Sequence, residues 1–266
     1  MAEFGFIGAG NMGGALALAA ARGAGTQKIA VADKNQDAAY RLSTAIGCDV
    51  FDNENLVKKS RFVFLGVKPQ FKEALAEEIA PVLAAKKERT VLVSMMAGVK
   101  IRSIRALFGP LPVIRIMPNT SVSVGKGVIL YDTADVTEEE ENAFKAALKE
   151  AGMVEKLPEK LIDAGCAVSG CGPAFVYLFI EALADGGVDC GLPREKALKF
   201  AAATVEGAAA ALLQTGRHPG EMKDAVCSPG GSTIEGVRAL EESAFRAAAM
   251  DAVIAAYEKT VALGKE

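Results

Sequence analysis

Short apolar runs alternate with helically spaced segments through the first half of the chain. EFGFIG (residues 3–8) reads as a strand, followed directly by a helix over 11–22 that ends at Gly23. KIAVAD (28–33) is a second strand, and helical spacing resumes over 36–46. RFVFLGV (61–67) and TVLVSMM (90–96) are continuous apolar runs, the pattern of strands buried on both faces, and 71–85 between them has helical spacing. PVIRIM (112–117) and GVILYD (127–132) supply two more strands. Thr137 and Glu140 have the spacing of a capping box for a helix over 138–151. Alternation of this kind predicts an α/β fold with a doubly wound, mostly parallel sheet.

From about Leu157 the pattern changes. Strand-like runs give way to alanine-rich helical ones, punctuated by GGVDCGLP, QTGRHPGE and SPGGST. Pro173 and Pro193 suit first-turn helix positions, and Gly186 and Gly216 suit helix ends. Two domains are expected: an α/β domain over 1–157 and an all-helical one over 158–266. The helices over 201–213 and 247–262 carry alanine on more than one face. Burial against another subunit and simple helix propensity both account for that, and the pattern leaves the two open.

Composition narrows the function classes. The net charge is -3 and no dense Lys/Arg cluster interrupts it, which argues against nucleic acid or an anionic membrane as the main partner. The apolar run 175–180 ends at Glu181, far short of a membrane span, and the first residues lack the basic stretch of a secretory leader. A cytoplasmic location is the expectation. Five cysteines (Cys48, Cys166, Cys171, Cys190, Cys227) make no CxxC pair and are expected as reduced thiols. His218 is the sole histidine, which excludes histidine-rich zinc sites, and no metal is expected.

The chemistry begins in FGFIGAGNMGGA (4–15). Gly8-Ala9-Gly10-Asn11-Met12-Gly13 satisfies GxGxxG after a first strand and at the opening of a helix, the setting of a dinucleotide cradle. Gly8 permits the tight turn, Gly10 lets the backbone approach a pyrophosphate, and Gly13 lets the helix close on the strand. Asp33 lies twenty residues beyond Gly13, where an acid takes the ribose 2′-hydroxyl of NAD. Lys34, next to it, could pair with the 2′-phosphate of NADP, so the spacing leaves the cofactor open. In the second half, SGCGPA (169–174) and SPGGST (228–233) each lead into a helix. The latter suits an anion held on helix-start N–H groups, and it equally suits an ordinary inter-helix turn.

GFIGAGNMGGA, FLGVKPQ, VSMMAGV, RIMPNTSV, SGCGPAF, EALADGGVDCGLPR and SPGGSTIEGVRALE together resemble pyrroline-5-carboxylate reductase, from Phe4 to the final helix. The SPGGSTIEGVRALE block is the most specific part. The resemblance implies a Rossmann-type domain followed by a helical dimerisation domain, with homodimers that assemble into larger rings. It implies reduction of the cyclic imine 1-pyrroline-5-carboxylate to L-proline, with NADPH, or NADH, as hydride donor. By position, it carries the cofactor onto Ile7, Gly8, Ala9, Gly10, Asn11 and Met12, then Asp33, Asn35 and Asn53. Val67, Lys68 and Pro69, with Met95, Met96 and Ala97, would line the ribose and nicotinamide side. The substrate carboxylate would rest on the backbone of Gly230, Gly231, Ser232 and Thr233, with the Thr233 hydroxyl near the ring nitrogen as the catalytic contact. Cys171 stands where the family usually has serine, and Ala225 where some relatives have a polar residue. Lys196, Lys199 and Lys223 sit in no motif like the catalytic lysine of the β-hydroxyacid dehydrogenases, the nearest rival plan.

Overall fold

A computed structural model describes residues 2–263. Each anticipated strand forms: β1 (Phe4–Ile7), β2 (Ile29–Ala32), β4 (Phe62–Leu65), β5 (Val91–Ser94), β6 (Val113–Pro118) and β7 (Gly127–Ala134). Two more join them, β3 (Asp49–Val50) and β8 (Gly152–Lys156). The sheet order is β3-β2-β1-β4-β5-β6-β7-β8, parallel except where β7 runs antiparallel to β6. Helices α1 (Asn11–Ala24), α2 (Gln36–Ile46), α3 (Asn53–Lys59), α4 (Lys72–Ala85), α5 (Ile101–Phe108) and α6 (Glu138–Leu148) make the crossovers. The chain reverses winding direction between β1 and β4, which register Phe4 against Phe62 and Phe6 against Phe64. Both pairs stack, at 5.1 and 4.2 Å between ring centroids, and pin the two strands whose carboxyl ends open the crevice.

Several helix boundaries depart from the sequence reading. Pro193 is the N-cap residue of the helix that starts at Arg194 and does not lie in its first turn. Gly23 does not end α1, which continues to Ala24. A Cβ at Gly23 would stand 2.4 Å from the Ala147 carbonyl oxygen, so this glycine serves close packing against α6. The helix expected over 138–151 is α-helical to Leu148, tightens to a 3-10 turn over Lys149–Ala151, and gives way to β8. Gly186 lies inside a helix that continues to Asp189, and the backbone turns at Gly191, with φ 97°.

The capping box forms as expected. The Glu140 N–H donates to Thr137 Oγ1 (3.2 Å) and the Thr137 N–H to Glu140 Oε2 (2.9 Å). Arg89 adds two donors to the same buried carboxylate, Nε at 2.7 Å and Nη2 at 3.2 Å. Burial alone would raise the Glu140 pKa, but the hydrogen bonds from Arg89 and Thr137 outweigh it and hold the carboxyl below its ordinary value. A depressed folded-state pKa contributes stability above the ordinary glutamate range and loses it as pH falls through the folded value. Urea midpoints measured across that acid range should therefore fall with pH in the wild type and fall less steeply in Glu140→Gln.

Beyond β8 the chain is helical: α7 (Glu159–Ser169), α8 (Gly172–Asp189), α9 (Arg194–Thr215), α10 (Pro219–Ala225), α11 (Ser232–Glu242) and α12 (Phe245–Leu263). Two compact units divide it, one running to Cys171 and resuming at Ala256, the other Gly172–Ala255. The division drawn from the sequence, 1–157 and 158–266, differs by the end of α12 from Ala256 and by α7, which is tied to the sheet. Ile162 packs with Met117 and Leu130, and the Asp132 carboxylate accepts the Glu159 N–H at 2.6 Å. Arg115, fully buried on β6, pairs with Glu159 (3.3 Å) and Asp163 (3.0 Å) one turn apart on α7.

In the second unit Ala184, Ala197 and Ala201 form the buried contact of α8 with α9. Large apolar side chains on α8, α9 and α12 are left outward, among them Tyr177, Leu178, Phe200, Leu213 and Met250, with Leu178 69% and Leu213 72% exposed. An apolar exposure of this extent marks a surface built to be covered. The stretch Glu159–Asp189 is, by length and composition, apolar enough to cross a membrane, although a turn at Gly170–Cys171 breaks it into α7 and α8.

Candidate active site

The first unit carries a cavity of about 390 Å³ at the carboxyl ends of β1, β2 and β4. It is lined by Ile7, Gly8, Gly10, Asp33, Lys34, Asn35, Asn53, Gly66, Val67, Lys68, Phe71 and Leu75. This is the switch point, where an open α/β sheet binds its ligand.

The three motif glycines do different work. Gly8 adopts φ 105°, and a Cβ there would meet the Gly66 carbonyl oxygen at 2.5 Å. A Cβ on Gly13 would fall 2.1 Å from the Gly8 oxygen. Both are required by the protein's own packing. Gly10 is the exception: among the described residues nothing lies within 4 Å of a Cβ placed on it. It is exposed at the cavity wall, and its missing side chain leaves room for a ligand rather than for protein. Gly10 is also the N-cap of α1 and, among the described residues, no side chain caps that helix. Its first-turn N–H groups and the positive end of its dipole suit a pyrophosphate. The residues present therefore fit a dinucleotide.

Asp33 braces the cradle. Its Oδ2 accepts the Ala9 N–H at 2.6 Å and its Oδ1 accepts the Asn35 N–H at 2.8 Å. Asn35 caps α2, its Oδ1 accepting from the Ala38 N–H at 3.2 Å, which leaves its amide donors for the cavity. Asn53 is buried at the start of α3 and donates from Nδ2 to Glu78 Oε2 at 3.0 Å.

Other residues carried by the motif match lie elsewhere. Ala9 and Asn11 line a shallower depression of about 320 Å³ with Gly10, Gly14 and Ser123. Met12 and Met95 pack against the core, and Met96 is buried, its N–H reaching Ser94 Oγ at 3.4 Å. Ala97 is exposed beyond β5, and Pro69 opens the short turn Pro69–Phe71. The sequence reading did not single out Gly66, Phe71 or Leu75. Only the glycine in FLGVKPQ offered a signal, since a Cβ at Gly66 would lie 2.9 Å from the Ile7 carbonyl oxygen. Asn119, in RIMPNTSV, was also unassigned. Its Nδ2 donates to the Ser169 carbonyl (2.9 Å) and its Oδ1 accepts the Val128 N–H (3.1 Å), tying the end of β6 to the end of α7. A wider depression of about 790 Å³ between α3 and α4 is open and lined by mixed charges beside the start of β4, away from the glycine turn.

SPGGST lies in the second unit. The Gly231 N–H donates to the Ser228 carbonyl (3.0 Å), Gly230 turns the backbone at φ 66°, and α11 starts at Ser232. No side chain caps α11 among the described residues, and Ser232 and Thr233 are exposed. An uncapped helix start behind a glycine turn offers N–H groups to a carboxylate. His218, by contrast, caps α10, its Nδ1 accepting the Gly220 N–H at 3.1 Å. Among the described residues no cluster of metal-binding side chains occurs.

Two family models match the chain. One, described as pyrroline-5-carboxylate reductase dimerisation, matches residues 159–263; the other, NADP oxidoreductase coenzyme F420-dependent, matches 3–98. A pyrroline-5-carboxylate reductase from Arabidopsis thaliana is 41% identical over 262 residues, covering 97% of this chain and 94% of that protein. The crystal structure of a Plasmodium falciparum pyrroline carboxylate reductase with NADP bound is 30% identical with TM-score 0.85, covering 99% of this chain and 98% of that one. A Coxiella burnetii pyrroline-5-carboxylate reductase superposes with TM-score 0.90 at 28% identity, covering 97% of each chain.

Proposed function

The chain belongs to the pyrroline-5-carboxylate reductase family, and from that premise we propose that it reduces 1-pyrroline-5-carboxylate to L-proline, the last step of proline synthesis. The observation that carries this reading is a likeness spanning both the dinucleotide cradle and the SPGGST helix start, at about 40% identity. A bound nicotinamide dinucleotide supplies the hydride that adds to the imine carbon C5.

The chain's own residues bind and orient. Gly8, Gly10 and the first turn of α1 hold the pyrophosphate, and Asp33, Lys34, Asn35 and Asn53 surround the adenosine end. Ile7, Val67 and Lys68 line the same cavity as further cofactor contacts; Ala9, Asn11, Met12, Pro69 and Met95 to Ala97, which lie outside that cavity, are carried to the cofactor by the family resemblance alone. Backbone N–H groups from Gly230 to Thr233 hold the substrate carboxylate, and the Thr233 hydroxyl hydrogen-bonds the ring nitrogen. A protonated imine is far more electrophilic than a neutral one, and the proton arrives with the substrate or from water. Orientation and electrostatics are then the protein's contribution, which suits a chain whose one histidine caps a helix.

NADPH is the proposed donor. Lys34 lines the cavity beside Asp33, whose two oxygens already accept backbone N–H groups, and one relative was crystallised with NADP. The dimerisation match and the outward apolar side chains support a homodimer, and assembly of dimers into rings rests on the family resemblance alone. Five free thiols suit a reducing, cytoplasmic compartment.

Steady-state oxidation of NADPH and of NADH with 1-pyrroline-5-carboxylate tests the reading. Turnover with a higher kcat/KM for NADPH supports it in full; higher kcat/KM for NADH overturns the cofactor assignment alone. Thr233→Ala should lower kcat/KM by roughly 10–100-fold, the loss of one oriented hydrogen bond of about 1.4–2.7 kcal/mol. An unchanged kcat/KM removes Thr233 from the site.

A further inference from the structure

Two of the five thiols lie together, at the turn that joins α7 to α8. Cys166 sits in the last turn of α7, and its carbonyl accepts the N–H groups of both Gly170 (2.7 Å) and Cys171 (3.0 Å). The backbone thereby doubles back and brings residue 171 alongside residue 166. Their side chains are neighbours in this turn, near enough for each to feel the other's charge. Gly170 leaves room for the Cys166 thiol at this turn: a Cβ there would fall 2.7 Å from Cys166 Sγ. Closure of this kind between positions five apart suits the roughly 4.4–6.8 Å between Cα atoms that a disulfide spans. Both thiols are half-buried and unbridged.

We propose that Cys166 and Cys171 form a reversible intramolecular disulfide, a redox modification site at the turn through which the chain leaves α7 for α8. The oxidant is a peroxide. Cys171 meets it first, because burial pushes the Cys166 thiol up to about 11 and makes it the slower nucleophile. The Cys171 sulfur attacks one oxygen of hydrogen peroxide; the O–O bond breaks, one water leaves, and a sulfenic acid remains. The Cys166 sulfur then attacks the Cys171 sulfur. An S–S bond forms, the S–O bond breaks, and the departing hydroxide takes the Cys166 proton as a second water. Two thiols lose two electrons in all, and one peroxide gains them. A dithiol reductant reverses the bridge by exchange. The crosslink fixes the SGCGP turn, whose Ser169 carbonyl is held by Asn119.

Peptide mapping of the full-length protein tests this directly. Trypsin releases Cys166, Cys171 and Cys190 on one peptide, residues 161–194. The reduced protein is treated with hydrogen peroxide, alkylated with iodoacetamide and digested. The expected peptide is lighter by two hydrogens, alkylated only at Cys190, and restored by dithiothreitol to alkylation at all three. In Cys166→Ser the bridge is lost and Cys171 sulfenic acid accumulates, captured by dimedone. A peptide alkylated at Cys166 and Cys171 as fully after peroxide as before overturns the proposal. So does bridging to Cys190, or conversion of Cys171 in the wild type to sulfinic acid with no bridged peptide.

Discussion

Replacing Arg115 by methionine is expected to lower the stability of the fold by about 3 kcal/mol, the low end of the cost of breaking a buried ion pair. Arg115 is 1% exposed in the middle of β6. Its guanidinium reaches Glu159 Oε1 at 3.3 Å and Asp163 Oδ1 at 3.0 Å, and Glu159 Oε1 also accepts the Ile101 N–H at 2.7 Å. Methionine fills much of the volume but leaves two carboxylates facing the vacated charge. Those carboxylates keep 26% and 20% of their side-chain exposure, which is why the figure sits at the low end of the range. Arg115 Nε has no hydrogen-bond partner among the described residues, so the cluster already carries one unmet donor. Replacing Arg115, Glu159 and Asp163 together by apolar or amide residues should recover most of the loss, because no charge is then stranded. Urea denaturation of the single and triple variants measures both. A single variant within about 0.5 kcal/mol of wild type, the range of an ordinary surface substitution, contradicts the assignment of this cluster as the tether of α7.

The second large effect falls on the cofactor. Gly8→Ala should weaken NADPH binding by more than about 100-fold, near 2.7 kcal/mol. At φ 105° an alanine is strained, and its Cβ would stand 2.5 Å from a backbone oxygen of Gly66 that cannot swing away. Relief requires the whole turn to shift, which moves the Ala9 N–H off Asp33 and misaligns the start of α1. Gly10→Ala is the informative partner. Its Cβ meets no described residue within 4 Å, so the urea midpoint should stay at the wild-type value while NADPH binding falls by roughly tenfold or more. Titration followed by cofactor fluorescence, beside urea denaturation, separates the two. Equal NADPH affinity in Gly10→Ala and wild type would mean that the cofactor does not approach this backbone.

Sequence periodicity located the central strands because a parallel sheet buries both faces, and such strands appear as unbroken apolar runs. β3, two residues long, and β8, GMVEK at the sheet edge, have no such run and were missed. Glycines were ambiguous for a physical reason. Gly216 does end a helix, at φ 63°, whereas Gly23 is spared a side chain by a carbonyl more than a hundred residues away. The cradle was legible because its glycines, strand and acid are local. Phe71 and Leu75 were not, since only the fold brings them to the cavity wall. The Arg115 cluster and the Cys166–Cys171 contact depend equally on geometry that spacing alone does not record.

The central claim is a hydride carried from a dinucleotide in the glycine cradle to C5 of the imine. It is tested most directly with NADPH bearing deuterium at nicotinamide C4, in each of its two diastereomeric forms. One form, incubated with the enzyme and 1-pyrroline-5-carboxylate, should give L-proline with deuterium at C5, and the other should give unlabelled proline. Cofactor that binds while no labelled proline forms from either diastereomer would contradict the account.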